Sequence, residues 1–175
     1  VLDPPFLHGN AIWAGVAILD FDADGHQDLF FTNGGNHPDA LYRNLGDGRF
    51  EDVAAEAGGD STARHGGVVA GDIDNDGDPD MVVSTECTSG TLHPETGRPL
   101  GDGDLTVYEN RGDGTFLERQ VAAVSGESGM NTCPVSVELA DINGDGFLDL
   151  VSANGVDPDQ VYPWLFFKLS QEVSR

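Results

Sequence analysis

The chain has 175 residues, enough for one ordinary domain, and its hydrophobic share of 38% supports a packed core. Its formal net charge is −23, from 31 acidic and eight basic residues, which excludes partners that are held by neutralising phosphate: nucleic acid and anionic membrane surfaces. No apolar run approaches the roughly 20 residues that span a bilayer.

The acidic balance fits metal ions, cationic partners or solvation, with adaptation to high salt as a contributing cause. Lys168 is the only lysine; the other seven cations are arginines. The chain opens on Val1 without a signal-peptide pattern and reads as a processed or excised piece. Cys87 and Cys133 form no CxxC pair and have no histidine cluster beside them, so a zinc site is not expected. They read either as a disulfide of an extracellular protein or as two separate small thiols.

In chain order, "AGVAIL" (14–19) is a short apolar strand. "DFDADGHQD" follows, with four carboxylates in nine residues, and "LFFTN" (29–33) is the next strand. "LYRNLGDGRFEDV" (41–53) reads as strand, Asp-Gly turn, strand. "EDVAAEAG" supports at most a short helical turn. The order then repeats. "GGVVAG" (66–71) leads into "DIDNDGDPD" (72–80) and "MVVST" (81–85), and "VYENRGDGTFLER" (107–119) matches the first hairpin. A polar, Gly- and Pro-rich stretch (86–104) separates these and reads as an inserted loop. A third copy runs "VSVELA" (135–140), "DINGDGFLD" (141–149), "LVSAN" (150–154). It lacks the Asp-Gly hairpin. "WLFFKL" offers one more strand, which Pro163 keeps from a central place.

The shared loop pattern is D-x-[DN]-x-D-G-x-x-D. Position one is Asp20, Asp72 and Asp141, position three Asp22, Asp74 and Asn143, and position five Asp24, Asp76 and Asp145. Position nine is Asp28, Asp80 and Asp149. Gly25, Gly77 and Gly146 permit the sharp turn. The backbone carbonyls of His26, Asp78 and Phe147 at position seven can join the side chains in a cage of hard oxygens. Such a cage suits calcium better than magnesium, which demands tighter geometry, and lacks the nitrogen and sulfur that zinc or copper prefer. An EF-hand needs Glu at position twelve between two helices. Phe31, Val83 and Ser152 stand there, between strands. A solvated Asp-Gly turn explains one such loop; three copies that agree at every ligand position point to ion binding.

The loops and "LYRNLGDGRF" resemble FG-GAP repeats, the blades of the integrin α-subunit propeller and of many bacterial secreted proteins. The resemblance runs from about Ala14 to Asn154. It implies an all-β fold of about three four-stranded propeller blades. The units are about 12–63, 64–132 and 133–175 of a single domain 1–175, the last incomplete. It also implies about three calcium ions, on the residues named above. The literal Phe-Gly and Gly-Ala-Pro segments of the family are absent, and such propellers usually have seven blades. Three blades do not easily close a ring, so the expected forms are a fragment of a larger propeller, an assembly or an open arc.

No nucleophile triad or phosphate loop is present. His8, His26, His37, His65 and His93 read as solvated loop residues, and no enzyme is expected. The leading expectation is a calcium-stabilised extracellular or cell-surface module, with a periplasmic location as a variant. It would act in adhesion, protein interaction or self-assembly. The alternative is a carbohydrate-binding module similar to fungal lectins with integrin-like propellers. Trp13, Tyr42, Tyr108, Tyr162 and Trp164 would be its exposed aromatics, unless they fill the space between blades.

Overall fold

A computed structural model describes residues 14–33, 37–85, 105–121, 133–155 and 165–167. The first sheet contains β1 (Val16–Leu19), β2 (Asp28–Phe31), β3 (Ala40–Asn44) and β4 (Phe50–Asp52), antiparallel and in chain order. One helical turn, α1 (Ala54–Ala57), follows and stops at Gly58, whose φ of 79° is left-handed. The second sheet repeats the first with β5 (His65–Gly71), β6 (Asp80–Thr85), β7 (Leu105–Asn110) and β8 (Phe116–Val121). The third holds β9 (Cys133–Ala140), β10 (Asp149–Gly155) and β11 (Leu165–Phe167), with β10 in the middle. β11 thus takes an edge, the place that Pro163 leaves open to it.

The register repeats as the sequence does. Each acidic loop closes on a pair made by the residue before position one and the Asp at position nine: Leu19 with Asp28, Gly71 with Asp80, Ala140 with Asp149. One residue later, Leu29 pairs with Tyr42, Met81 with Tyr108 and Leu150 with Phe167. A shared register puts equivalent side chains on equivalent faces, because strand side chains alternate.

That alternation builds two cores. Ala17, Leu19, Phe30 and Leu41 point from the first sheet toward Met81, Val83 and Tyr108 of the second, with Val68 and Ala70 at the margin. The other face of the second sheet, with Val82, Leu105 and Val107, meets Val137 and Leu150 of the third. The second sheet is therefore apolar on both faces, and its β6 is buried along most of its length. Each large side chain so buried contributes roughly 1.5–3 kcal/mol. Thr32 ties the first two sheets together. Its hydroxyl accepts the Gly15 N–H at 2.6 Å and donates to the Gly66 carbonyl at 2.7 Å. Gly15 has no room for a side chain, since a Cβ there would lie 2.7 Å from that carbonyl.

Tyr108 fills the space between the first two sheets, fully buried, edge-on to His65 and near Phe30. One expectation is corrected: His65 is not a solvated loop residue. It opens β5 fully buried, its Nδ1 in a short hydrogen bond with Asp39 Oδ2 and its Nε2 3.4 Å from Thr106 Oγ1. Packing of one sheet on the next buries His65, which its Gly-rich neighbours had marked as surface. His26 and His37 are exposed as expected. The calls on Trp13, Tyr162, Trp164, His8, His93, Cys87 and the 86–104 insertion lie outside the described residues.

Candidate functional site

Each acidic loop is a tight coil organised by its first carboxylate. Asp20 accepts the N–H groups of Asp24 and Gly25, both at 3.0 Å. Asp72 does the same for Asp76 and Gly77, and Asp141 for Asp145 and Gly146. At position five, Asp24, Asp76 and Asp145 each turn one oxygen to the N–H of position seven, on His26, Asp78 and Phe147. The coil requires left-handed backbone at position four, where Ala23 has φ 57° and Asn75 φ 62°, and at position six, where Gly77 has φ 100°. Nothing lies within 4 Å of a Cβ built on Gly25, Gly77 or Gly146, so backbone angle alone asks for glycine there.

Position nine anchors the loop to the sheet. Asp28 accepts the Phe21 N–H at 3.1 Å and the Asn44 N–H at 2.7 Å. Asp80 accepts those of Ile73 and Asn110, at 2.9 and 2.8 Å. Asp149 accepts the Ile142 N–H, but its Oδ1 is buried without a hydrogen-bond partner. Asn44 and Asn110 each end the third strand of their sheet and lead into the Asp-Gly turn. Sequence reasoning missed them as site residues. The available signal was the shared "Y-x-N-x-G-D-G" of the two hairpins.

The fold brings Asp20, Asp22 and Asp28 together, one oxygen from each lying within 4.8 Å of the others, and does the same for Asp72, Asp74 and Asp80. In the third loop Asn143 replaces a carboxylate. Asp22 Oδ1 is buried without a hydrogen-bond partner, an acceptor left over inside a ring of acceptors. Crowding and burial shift the aspartates. Burial pushes Asp80 up from 3.8 to about 6, against the pull of the Ile73 and Asn110 N–H groups. Burial also raises Asp28 and Asp74, and neighbouring aspartates add to both. Asp24, in contrast, is lowered by the His26 N–H.

The two loops differ in their neighbours. Arg43 lies 3.1 Å from Asp22, its guanidinium over the Phe21 ring, and partly neutralises the first loop. Glu109 holds the same place in "YEN", adds negative charge near Asp74, and is paired with Arg119 at 2.8 Å. A ring of hard carboxylate oxygens with a spare buried acceptor fits a calcium ion chemically. Asp20, Asp22 and Asp28 would hold it in the first loop, and Asp72, Asp74 and Asp80 in the second; Asp24 and Asp76, expected as ligands, are not among the converging groups.

The loops also touch across sheets. The Asn110 side-chain amide donates to the carbonyl of Phe21 at 2.9 Å, and Asn75 donates to that of Gly146 at 3.2 Å. Asp39, His65 and Thr106 have the residue types of a catalytic set, but all three are buried and closed to substrate; they pin the first sheet to the second. No helix among the described residues is long and apolar enough to cross a membrane.

The chain matches the family described as FG-GAP-like repeat over residues 20–83 and 98–152. It is similar to cartilage acidic protein 1 of Homo sapiens, 30% identical over 165 residues that cover 87% of this chain and 22% of that protein. The Mus musculus protein of the same name is 29% identical over 162 residues, 88% of this chain and 22% of its own length. The Xenopus tropicalis protein is 38% identical over 69 residues, 39% of this chain and 10% of its own. The chain thus spans about a fifth of the human and mouse relatives' length.

Proposed function

The chain belongs to the FG-GAP repeat family, and from that premise we propose that it is a calcium-stabilised extracellular module that serves as an interaction, adhesion or assembly scaffold and carries no catalytic step. The observation that carries this reading is the twice-built ring of three converging carboxylates, with Asp22 Oδ1 left buried and unpartnered in one of them. An ion supplies the positive charge that lets these carboxylates stay ionised side by side. The chain's own residues fix where it sits. Position one holds the coil closed, position nine ties it to the sheet, and position three points the remaining carboxylate inward. Three such loops call for about three ions.

Because the ion binds the folded loops and not the unfolded chain, its affinity adds to folding stability. Extracellular calcium modules typically bind at about 10⁻⁴–10⁻³ M, a concentration met outside cells. This supports an extracellular, cell-surface or periplasmic location. The similarity to proteins named for cartilage supports the extracellular one. The sheets are read as propeller blades, stacked in a larger ring or arc to which the chain contributes three. Of the aromatics assigned to the glycan alternative, Tyr108 is buried between sheets and so does not favour a sugar platform.

Calorimetric titration with calcium, paired with thermal melting in calcium and in excess chelator, tests the proposal. Saturable binding and a melting point lowered by several degrees on chelation are expected. Identical melting curves in the two conditions would sink the calcium reading.

A further inference from the structure

Resting on the calcium reading, we infer that Asn110 is a positioning residue shared by the first two cation loops and makes them fill cooperatively. Asn110 is 2% exposed. Its backbone N–H donates to Asp80 Oδ1, the closing carboxylate of the second loop, at 2.8 Å. Its side-chain amide donates to the Pro79 carbonyl, the residue before Asp80, at 3.2 Å, and to the Phe21 carbonyl at 2.9 Å. Phe21 lies between Asp20 and Asp22, and its own N–H donates to Asp28 Oδ2, the closing carboxylate of the first loop. One residue therefore reaches both closing aspartates, Asp80 through its backbone N–H and Asp28 through its side chain and residue 21.

Asn44 holds the same place in the first sheet and makes the same two local contacts, its N–H to Asp28 and its side chain to the Gln27 carbonyl at 3.1 Å. Among the described residues no acidic loop precedes that of the first sheet, so Asn44 has none to bridge to, and Asn110 has.

With an ion bound, Asp20, Asp22 and Asp28 would be held together, and residue 21 between Asp20 and Asp22 would be held with them. The Phe21 carbonyl then fixes the Asn110 side chain, which holds the Pro79 carbonyl and the Asn110 N–H in place for the second loop. The second ion meets a loop already ordered, so it binds more tightly. Coupling between two binding sites is reciprocal, so an ion in the second loop favours the first by the same factor.

A double-mutant cycle tests this. Asp22→Asn weakens the first loop and Asp74→Asn the second. Each is combined with Asn110→Ala, which keeps the backbone N–H on Asp80 and removes only the side-chain bridge. Calcium affinity of the intact loop is read by calorimetry, and melting in chelator checks that each variant folds. With Asn110 present, each loop mutation lowers affinity at the other loop by about five-fold or more, equally in both directions. With Asn110→Ala, that cross-effect falls below about two-fold. A cross-effect that is absent, or equal in both backgrounds, overturns the coupling while leaving calcium binding intact. Failure of the parent chain to bind calcium overturns the calcium reading itself. Should Asn110→Ala not fold, Asn110→Ser, too short to reach the Phe21 carbonyl, takes its place in the same cycle with the same deciding outcomes.

Discussion

At the residue scale the telling group is Asp80. Its two buried hydrogen bonds favour the charged form, yet burial dominates and raises it to about 6 in the ion-free loop. In the unfolded chain it titrates near 3.8. The folded state therefore holds a proton that the unfolded state has already released between these values. Its contribution to stability is complete below about pH 4 and is lost as pH rises through 6. Asp28 and Asp74 are raised too and work in the same direction. Asp24 is lowered and acts only below this window. In chelator, then, the protein melts higher at pH 5 than at pH 7.5. With calcium the sign inverts, because protons compete with the ion for Asp80 and acidification releases it. Melting curves at the two pH values, with and without calcium, check this; the same sign in both series would refute it.

At the element scale, each loop is a coil whose backbone angles decide which residues fit. Position six is left-handed in all three loops and open around the Cα. Gly77→Ala meets no neighbour, so its cost is the backbone term alone, roughly 1–2 kcal/mol. Asn75→Gly, at the other left-handed position of the same loop, relieves strain but gives up the hydrogen bond to Gly146; it is expected to change stability by less than about 1 kcal/mol. Urea denaturation in chelator measures both, and a neutral Gly77→Ala would show that the turn does not need its left-handed residue. The strands and loops were legible because their signals are local: an apolar run, an Asp-Gly turn, a nine-residue pattern. Asn110 was not. Its role depends on Phe21, 89 residues earlier, and no local pattern reports a contact between sheets.

At the scale of the whole molecule, the three sheets are stacked, and among the described residues no sheet packs on the outer face of the first. Val16, Ile18 and Phe31 point away from the second sheet and are exposed, Phe31 by 36%. Their counterparts in the second sheet, Val68, Ala70 and Val83, pack against the first, and Val83 is 0% exposed. Equivalent positions thus carry different burdens. Phe31→Asp is expected to cost less than about 1 kcal/mol, as surface changes do. Val83→Asp buries an unpaired charge and is expected to abolish cooperative folding. Equal destabilisation of the two variants would show that the first face is covered in solution.

The sequence alone determined the strands and the three acidic loops with their carboxylate spacing. Each of these follows from residue types at fixed short spacings, which bond with their own neighbours. Tertiary structure decided the rest. It buried His65 against Asp39, where the sequence had placed it in a solvated loop, and set Tyr108 against Phe30 between two sheets. It raised Asp80, left Asp22 Oδ1 without a partner, and joined two loops through Asn110. These depend on which face of one sheet meets the next. The physical reason is that burial and hydrogen bonding between sheets join residues far apart in the chain, and local spacing carries no record of those meetings.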